Sequence, residues 1–518
     1  MTAFGVTLCL LASSLLTFTR AESTTVSAAA SAETNLAACA ASMNGLLPSP
    51  TPSNFYFSGN VRKYYVAAEE VNWDYAPTGW DNYMGVPLNL SPRAKAAGYT
   101  ERTKWEKALY RGYTDATFSE YSAQPAWQGS QGPTLRSEVG DLVEIMFVNK
   151  LSENYASMHS MGLEYTKGSE GSDYPNNTAP GQEPSFDPRQ AVQPGGCVVY
   201  KWMVDEASAP YDGEPSKAHS YHSYVAMQQD INAGLIGPQI VYARGQMNAT
   251  MSQYREFPLL YMIYSESESF MSKINNANGN SGQGQGGYGS YGGYGAMSFS
   301  DSLDGQFSGN YSIWYPQLVN LLSAFQGKGP SFYSLNGWVL SNNPVFPMCR
   351  DDNVIWYVYA YGSASHVFHM HGNNFYYNND PLPSISINVG EHRTLFMNAT
   401  GVGLWEVICH VAYHNTLGMI ANYRVYQDGC PLPPPAQANM PSGAVPSPTS
   451  GAAATSAATS NNSGASVTGN PVVTQADFSR GAQSSSGLAF PTGGAPNQGQ
   501  PSDRGQQGPD HGFSTFRA

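Results

Sequence analysis

Charge is scarce in this chain of 518 residues: Asp, Glu, Lys and Arg make up 12%, and the balance is acidic at −13. So few basic residues argue against nucleic acid or an anionic membrane surface as a partner, because either would repel the chain. A metal ion or small cationic substrate suits the charge better. Long apolar runs are also missing. Beyond the N-terminus nothing approaches the ~20 consecutive apolar residues of a membrane-crossing helix, so no transmembrane span is expected. Cysteine and histidine are few, six and ten, so any clustering of them is informative. The 41% of hydrophobic residues suffices for two or three buried cores.

The first residues, Met1 to Leu16, form a short apolar run without Lys or Arg, followed by small residues around Thr19-Arg20-Ala21. This pattern reads as a signal peptide over 1–21. A secreted protein, extracellular or associated with a cell wall or matrix, is the expectation. The sequons at Asn89, Asn176, Asn248, Asn310, Asn398 and Asn461 agree with a glycoprotein. Removal of Cys9 leaves Cys39, Cys197, Cys349, Cys409 and Cys430, an odd set. One thiol is therefore held back from pairing, and metal ligation is one common reason.

Residues 22–60 are rich in Ala, Ser, Thr and Pro and read as a disordered leader. Two blocks follow, 61–245 and 254–430, in which short β-rich runs alternate with Gly, Pro, Asn and Asp. Leu142–Val148, Cys197–Val204, Pro258–Tyr264, Val354–Tyr359 and Met419–Val425 are such runs. This spacing predicts an all-β fold of two β-sandwiches. The blocks look duplicated, each with a histidine tetrad after a hydrophobic strand: His159-Ser-Met-Gly162 and His369-Met-His-Gly372. A Gly/Tyr-rich stretch at about 275–296 reads as a solvent-exposed loop inserted in the second block, and 431–518 as a disordered Pro/Ser/Thr/Gly-rich tail.

Five of the ten histidines (His366, His369, His371, His410 and His414) flank a single cysteine. In Cys409-His410-Val-Ala-Tyr-His414-Asn-Thr-Leu-Gly-Met419, a thiolate, an imidazole and a thioether lie in one loop. With His366 as second imidazole from a neighbouring strand, they form the set that holds an electron-transfer copper. Zinc also accepts Cys and His but gains little from a thioether. Trp405 reads as core.

On these residues the chain resembles the multicopper oxidases, and within them the branch of ceruloplasmin, hephaestin and coagulation factors V and VIII. Further similar stretches are Arg62-Lys-Tyr-Tyr-Val66, Asp230-Ile-Asn-Ala-Gly-Leu-Ile-Gly-Pro238, Tyr333-Ser-Leu-Asn-Gly337 and Pro347-Met-Cys349. The resemblance implies two tandem cupredoxin (plastocyanin-like) Greek-key domains. It makes His366, Cys409, His414 and Met419 the type 1 copper site, and assigns His159 and His369 to a type 2 copper. His222, His371 and His410 would be what remains of a type 3 pair, with His410 as electron relay from Cys409. Where the family has histidine, this chain has Met161, Tyr224 and Ile408. Met161, Tyr224 or the nearby His219 are candidate substitutes. The resemblance also implies a Cys349–Cys430 disulfide, leaving Cys39 to bridge to Cys197 or to another molecule.

Three functions follow as expectations. One is a copper-dependent oxidoreductase that takes electrons from a metal ion such as Fe(II) and passes them to dioxygen, with up to four coppers. In the family such a cluster sits between two domains, so a two-domain chain would close it as a homotrimer. The second is a non-catalytic copper-binding structural or interaction protein of matrix or wall, and the third a one-copper electron carrier. Glu164, Asp173, Asp212, Glu214 and Glu406 lie near the motifs, but isolated acids on acidic loops are mostly solvated.

Overall fold

The computed structural model describes residues 35–174, 187–277, 330–427, 429–435 and 439. The signal peptide, residues 278–296 of the insertion, the chain beyond Asn439 and the sequons at Asn176, Asn310 and Asn461 lie outside the described residues.

Strands form where β-branched and aromatic residues recur between turn residues. In the first block they are β1 (Val61–Asp74), a short hairpin of β2 (Trp80–Asp81) and β3 (Val86–Pro87), β4 (Lys104–Tyr113), β5 (Leu135–Glu138), β6 (Leu142–Asn149), β7 (His159–Met161), β8 (Glu164–Tyr165), β9 (Cys197–Met203), β10 (Ser216–His222) and β11 (Ile236–Tyr242). In the second they are β12 (Tyr254–Ser265), β13 (Ser331–Leu335), β14 (Phe346–Cys349), β15 (Asn353–Tyr361), β16 (His366–Met370), β17 (Phe375–Tyr377), β18 (Asp380–Leu382), β19 (Ser384–Ile387), β20 (His392–Asn398), β21 (Gly403–Cys409) and β22 (Ile420–Tyr426).

The first sandwich packs the sheet β4-β1-β6-β9-β8 on the sheet β5-β11-β10-β7; the second packs β13-β12-β15-β20-β17-β18 on β14-β22-β21-β16-β19. The sheet orders correspond, with β18 and β19 as extra edge strands in the second sandwich: β1 runs parallel to β6 as β12 does to β15, and β5 runs parallel to β11 as β14 does to β22. The duplication read from the histidine tetrads thus extends to topology, and β10 with His222 corresponds to β21 with Cys409. Pro258 is tolerated inside β12 because β13 covers that edge only from Tyr261 onward. Its carbonyl accepts from Asn336 Nδ2 at 3.1 Å.

Each sandwich has its own core, one around Phe147, Trp202 and Tyr221, the other around Trp356, Phe368, Cys409 and Met419. A third cluster joins them, in which Phe332 is stacked between Tyr75 (centroids 3.9 Å apart) and Tyr99 (4.8 Å). Within it the buried Lys107 ammonium lies 2.8 Å from the buried Glu266 carboxylate. Tyr75 also donates to Glu266 at 2.5 Å.

Two expectations need correction. The leader is not disordered throughout: residues 35–42 are helical, and Cys39 is bonded to Cys197. The cause lies in β6, where Glu144 is buried on the sheet face and needs partners. Gly45 N–H donates to it at 2.8 Å and Lys201 pairs with it at 3.0 Å. Lys201 and Lys63 also donate to the Leu46 and Met43 carbonyls, both at 2.7 Å. The second correction concerns Asn275, expected in the exposed loop. It ends up buried, its amide bonded to the Glu106 backbone at 2.9 and 3.0 Å and to Arg102 at 2.8 Å. Among the described residues no helix is long and apolar enough to cross a membrane.

Candidate metal centre

Cys409 is the last residue of β21 and His366 the first of β16, and these strands pair antiparallel with Phe368 opposite Cys409. After Cys409 the chain makes a short helix, Ala412–Thr416, that turns His414 back toward the sulfur. Two backbone bonds close the loop: Met419 N–H donates to the His414 carbonyl, and Cys409 N–H to the Met419 carbonyl, both at 3.0 Å. Gly418 is required here, at φ 109°, since a side chain would press on Leu340.

The result is one buried constellation. His366 Nδ1 lies 3.6 Å and His414 Nδ1 3.5 Å from Cys409 Sγ. Cys409 and Met419 are fully buried in the same core cluster, and Tyr261 holds the strand by donating to the Ile408 carbonyl at 2.9 Å. Burial and the neighbouring His414 push the His366 imidazole down to about 3, and burial lowers His414 as well. Both rings are therefore neutral ligands at physiological pH. Burial raises the Cys409 thiol above its ordinary value. Metal–nitrogen and metal–sulfur bonds of about 2.05 and 2.3 Å, opened at about 110°, place N and S about 3.6 Å apart. The observed spacing fits a single bound ion. Among the described residues this is the one group in which three His, Cys, Asp or Glu ligand atoms converge within 4.8 Å.

Five further histidines, His159, His222, His369, His371 and His410, fall into two separate groups. His159 on β7 and His222 on β10 are directly opposite, rings 5.6 Å apart, both buried. Tyr224 packs 5.1 and 5.5 Å from them. The Nδ1 atoms of His159 and His222 face the Glu170 and Ser223 carbonyls at 2.7 and 2.9 Å. If these Nδ1 atoms carry the ring protons, each Nε2 keeps its lone pair, as in metal-ligating histidines. Burial lowers His159 and takes His222 to about 4. On the second sandwich, His369 lies 5.2 Å from His371 and 5.1 Å from His410, with its Nδ1 on the Pro383 carbonyl at 2.6 Å. Among the described residues no ring contact joins this trio to the His159–His222 pair.

At the replaced positions, Ile408 is opposite His369 and presents an apolar wall where the family has an imidazole. Met161 is opposite Ser220. Of the candidate substitutes, Tyr224 is the one in ring contact with both His159 and His222; His219 instead faces the Ser208 carbonyl and His392. Of the nearby acids, Glu406 approaches His371 Nδ1 at 3.6 Å. Sequence reading missed Tyr261 and Tyr333, which pack 5.4 Å from His366 and 5.3 Å from His414. Tyr333 opens a stretch similar to the family but was given no role at the site, and Tyr261 looks like an ordinary strand aromatic. Both disulfides have formed, Cys39–Cys197 and Cys349–Cys430, with Cys409 left free and buried.

A family model described as multicopper oxidase matches residues 315–429. Among curated proteins the chain is 29% identical to ferroxidase HEPHL1 of Mus musculus over 385 residues, 72% of this chain and 30% of that protein. It is 29% identical to Mus musculus hephaestin over 389 residues, 73% of this chain and 30% of that one. With coagulation factor V of Pseudonaja textilis it shares 29% over 387 residues, 72% and 22% of the two chains. It thus spans less than a third of the length of these relatives. A blue copper oxidase from Nitrosomonas europaea superposes with a TM-score of 0.42 at 15% identity, covering 71% of this chain and 86% of that one. The family-model match over residues 315–429 and the curated relatives together identify a multicopper oxidase domain in this chain.

Proposed function

We propose that the protein is an extracellular copper-binding oxidoreductase whose central feature is a type 1 copper held by His366, Cys409, His414 and Met419. The observation that carries this reading is the 3.5–3.6 Å convergence of two Nδ1 atoms on a buried Sγ. When bound, copper supplies a one-electron redox centre with thiolate character. The chain holds both imidazoles neutral and keeps water from the sulfur by burying it in the core cluster that includes Phe368 and Met419. His410, the covalent neighbour of Cys409, leads from the sulfur to the exposed His369–His371 group. By likeness to the ferroxidases, Fe(II) is the proposed electron source and dioxygen the acceptor.

The reading extends to a cluster in which His159 and His369 hold a type 2 copper and His222, His371 and His410 a reduced type 3 set. Within one chain these residues form two groups, so the cluster requires a second copy, and a homotrimer is the proposed closed form. A specific observation favours a second reading, a one-copper carrier or structural protein: Ile408 fills a ligand position with a buried apolar side chain.

The deciding experiment is copper per chain, the visible spectrum and the solution mass of the purified protein. One copper with an intense thiolate charge-transfer band in a monomer supports the second reading. Three or four coppers in a trimer, with Fe(II)-dependent oxygen uptake, support the first. Absence of the band after copper loading refutes both.

A further inference from the structure

At the seam between the sandwiches, β10 and β20 frame a cleft of about 160 Å3 whose wall includes Glu214, Lys217, His219, Tyr377, His392 and Arg393. Seam bonds fix its floor: Ala218 N–H donates to Thr394 Oγ1 at 2.9 Å, and His392 Nε2 lies 2.8 Å from Ser220 Oγ. The charged groups are under-satisfied. Lys217 is half-buried, yet among the described residues no carboxylate lies within 4.0 Å of it, whereas Lys63, Lys107, Lys150, Lys167 and Lys201 each have one. Its recorded contact is the Tyr211 ring, 5.1 Å away. Arg393 spends two nitrogens on the Glu391 carboxylate (2.7 Å) and the His392 carbonyl (3.0 Å), while its Nε is buried with no partner.

A half-buried lysine side chain with no carboxylate partner among the described residues is unusual in a chain with a net charge of −13. Beside it, the imidazoles of His219 and His392 are 6.2 Å apart. Burial first, then the neighbouring His219 and His222, and after them Arg393 and Lys217, keep His392 neutral down to about 3. The cleft therefore sets Lys217 and the unpartnered Arg393 Nε around polar walls with space for a few heavy atoms. We propose that it binds a small oxyanion, a carboxylate or phosphate group, between Lys217 and Arg393, clamping the two sandwiches together. Glu214, the one carboxylate in the wall, opposes that anion. The site is independent of any metal at Cys409.

The test is calorimetric titration of the full-length protein with inorganic phosphate and, separately, with acetate, at constant ionic strength set by chloride. Saturable binding of at least one is expected, and which one binds identifies the headgroup. Loss of a charge-assisted bond in K217M weakens affinity about tenfold or more. K217R retains it. E214Q, which leaves every seam bond in place, tightens binding and keeps the test open should K217M fold poorly. No saturable binding of either anion, K217M binding as tightly as the parent, or E214Q binding no tighter would overturn the proposal.

Discussion

Loading the Cys409 site with metal should release close to one proton between pH 7.5 and 8.5. The perturbation is pH itself, and the magnitude follows from the three ligands. His366 sits near 3 and His414 below its ordinary 6.5, so neither imidazole carries a proton to lose. The Cys409 thiol is raised above 9.0 by burial, so it is protonated across the window and must lose its proton to ligate. One proton released means that apparent affinity rises about tenfold per pH unit, about 1.4 kcal/mol. Cobalt(II) reads this without oxidising the thiol. Its affinity is measured by chelator competition at several pH values, and the proton count by calorimetry in two buffers of different ionisation enthalpy. A flat profile would mean the thiol is already ionised in the unloaded protein. A slope of two would mean an imidazole is charged. Either result refutes the assignment of burial as the dominant influence on this site.

Two further perturbations test the framework around it. In K107M the Glu266 carboxylate is left buried without its cation, which should cost about 3–5 kcal/mol in chemical denaturation. K107M/E266Q, which keeps an acceptor for Tyr75, should recover much of that; a loss under about 1 kcal/mol in the single variant would contradict the buried pairing. Asp230 accepts from Ser223 Oγ at 2.7 Å and from the Val225 and Ala226 amides at 3.0 Å, steadying the segment that carries Tyr224. Burial raises its carboxyl from 3.8 to about 7, so the folded state binds the extra proton and stability should fall as pH rises through that interval. D230N keeps an acceptor without the charge, and its denaturation midpoint should lose that slope; an unchanged slope would refute the assignment.

The strands and the Cys409 loop were legible because both are local signals. Alternating β-branched residues between turn residues need no partner to be recognised, and Cys409, His414 and Met419 lie within eleven residues of one another. His366 was reachable because it opens a motif of its own. The leader was misread because its composition is that of a linker, whereas its order depends on Glu144, Lys63 and Lys201, far away in sequence and visible only once β6 has a buried acid on its face. Asn275 was misread for the same reason: a glycine-rich neighbourhood concealed an amide bonded to Glu106. The separation of the histidines into two groups was implied by the resemblance, which sets the cluster between two domains, and not by any local signal, since each motif by itself says nothing of where its partners sit. His392 gave no signal, and His219 was read only as a candidate substitute ligand beside His222. They are single histidines on two strands, and only the packing of β10 on β20 brings them together.

The pairing of Cys39 with Cys197 imposes an order on biosynthesis. Cys39 leaves the ribosome 158 residues ahead of its partner, and until β9 has been made it is an unpaired thiol on an incomplete sandwich. Cys409 emerges later, after Cys349 and before Cys430, so during synthesis it is the nearest available sulfur for Cys349. What protects Cys409 is the closing of β21 between β16 and β22, which removes it from solvent. Correct bridging is thus a race between oxidation and the folding of the second sandwich. The odd thiol stays unpaired only where strand pairing wins.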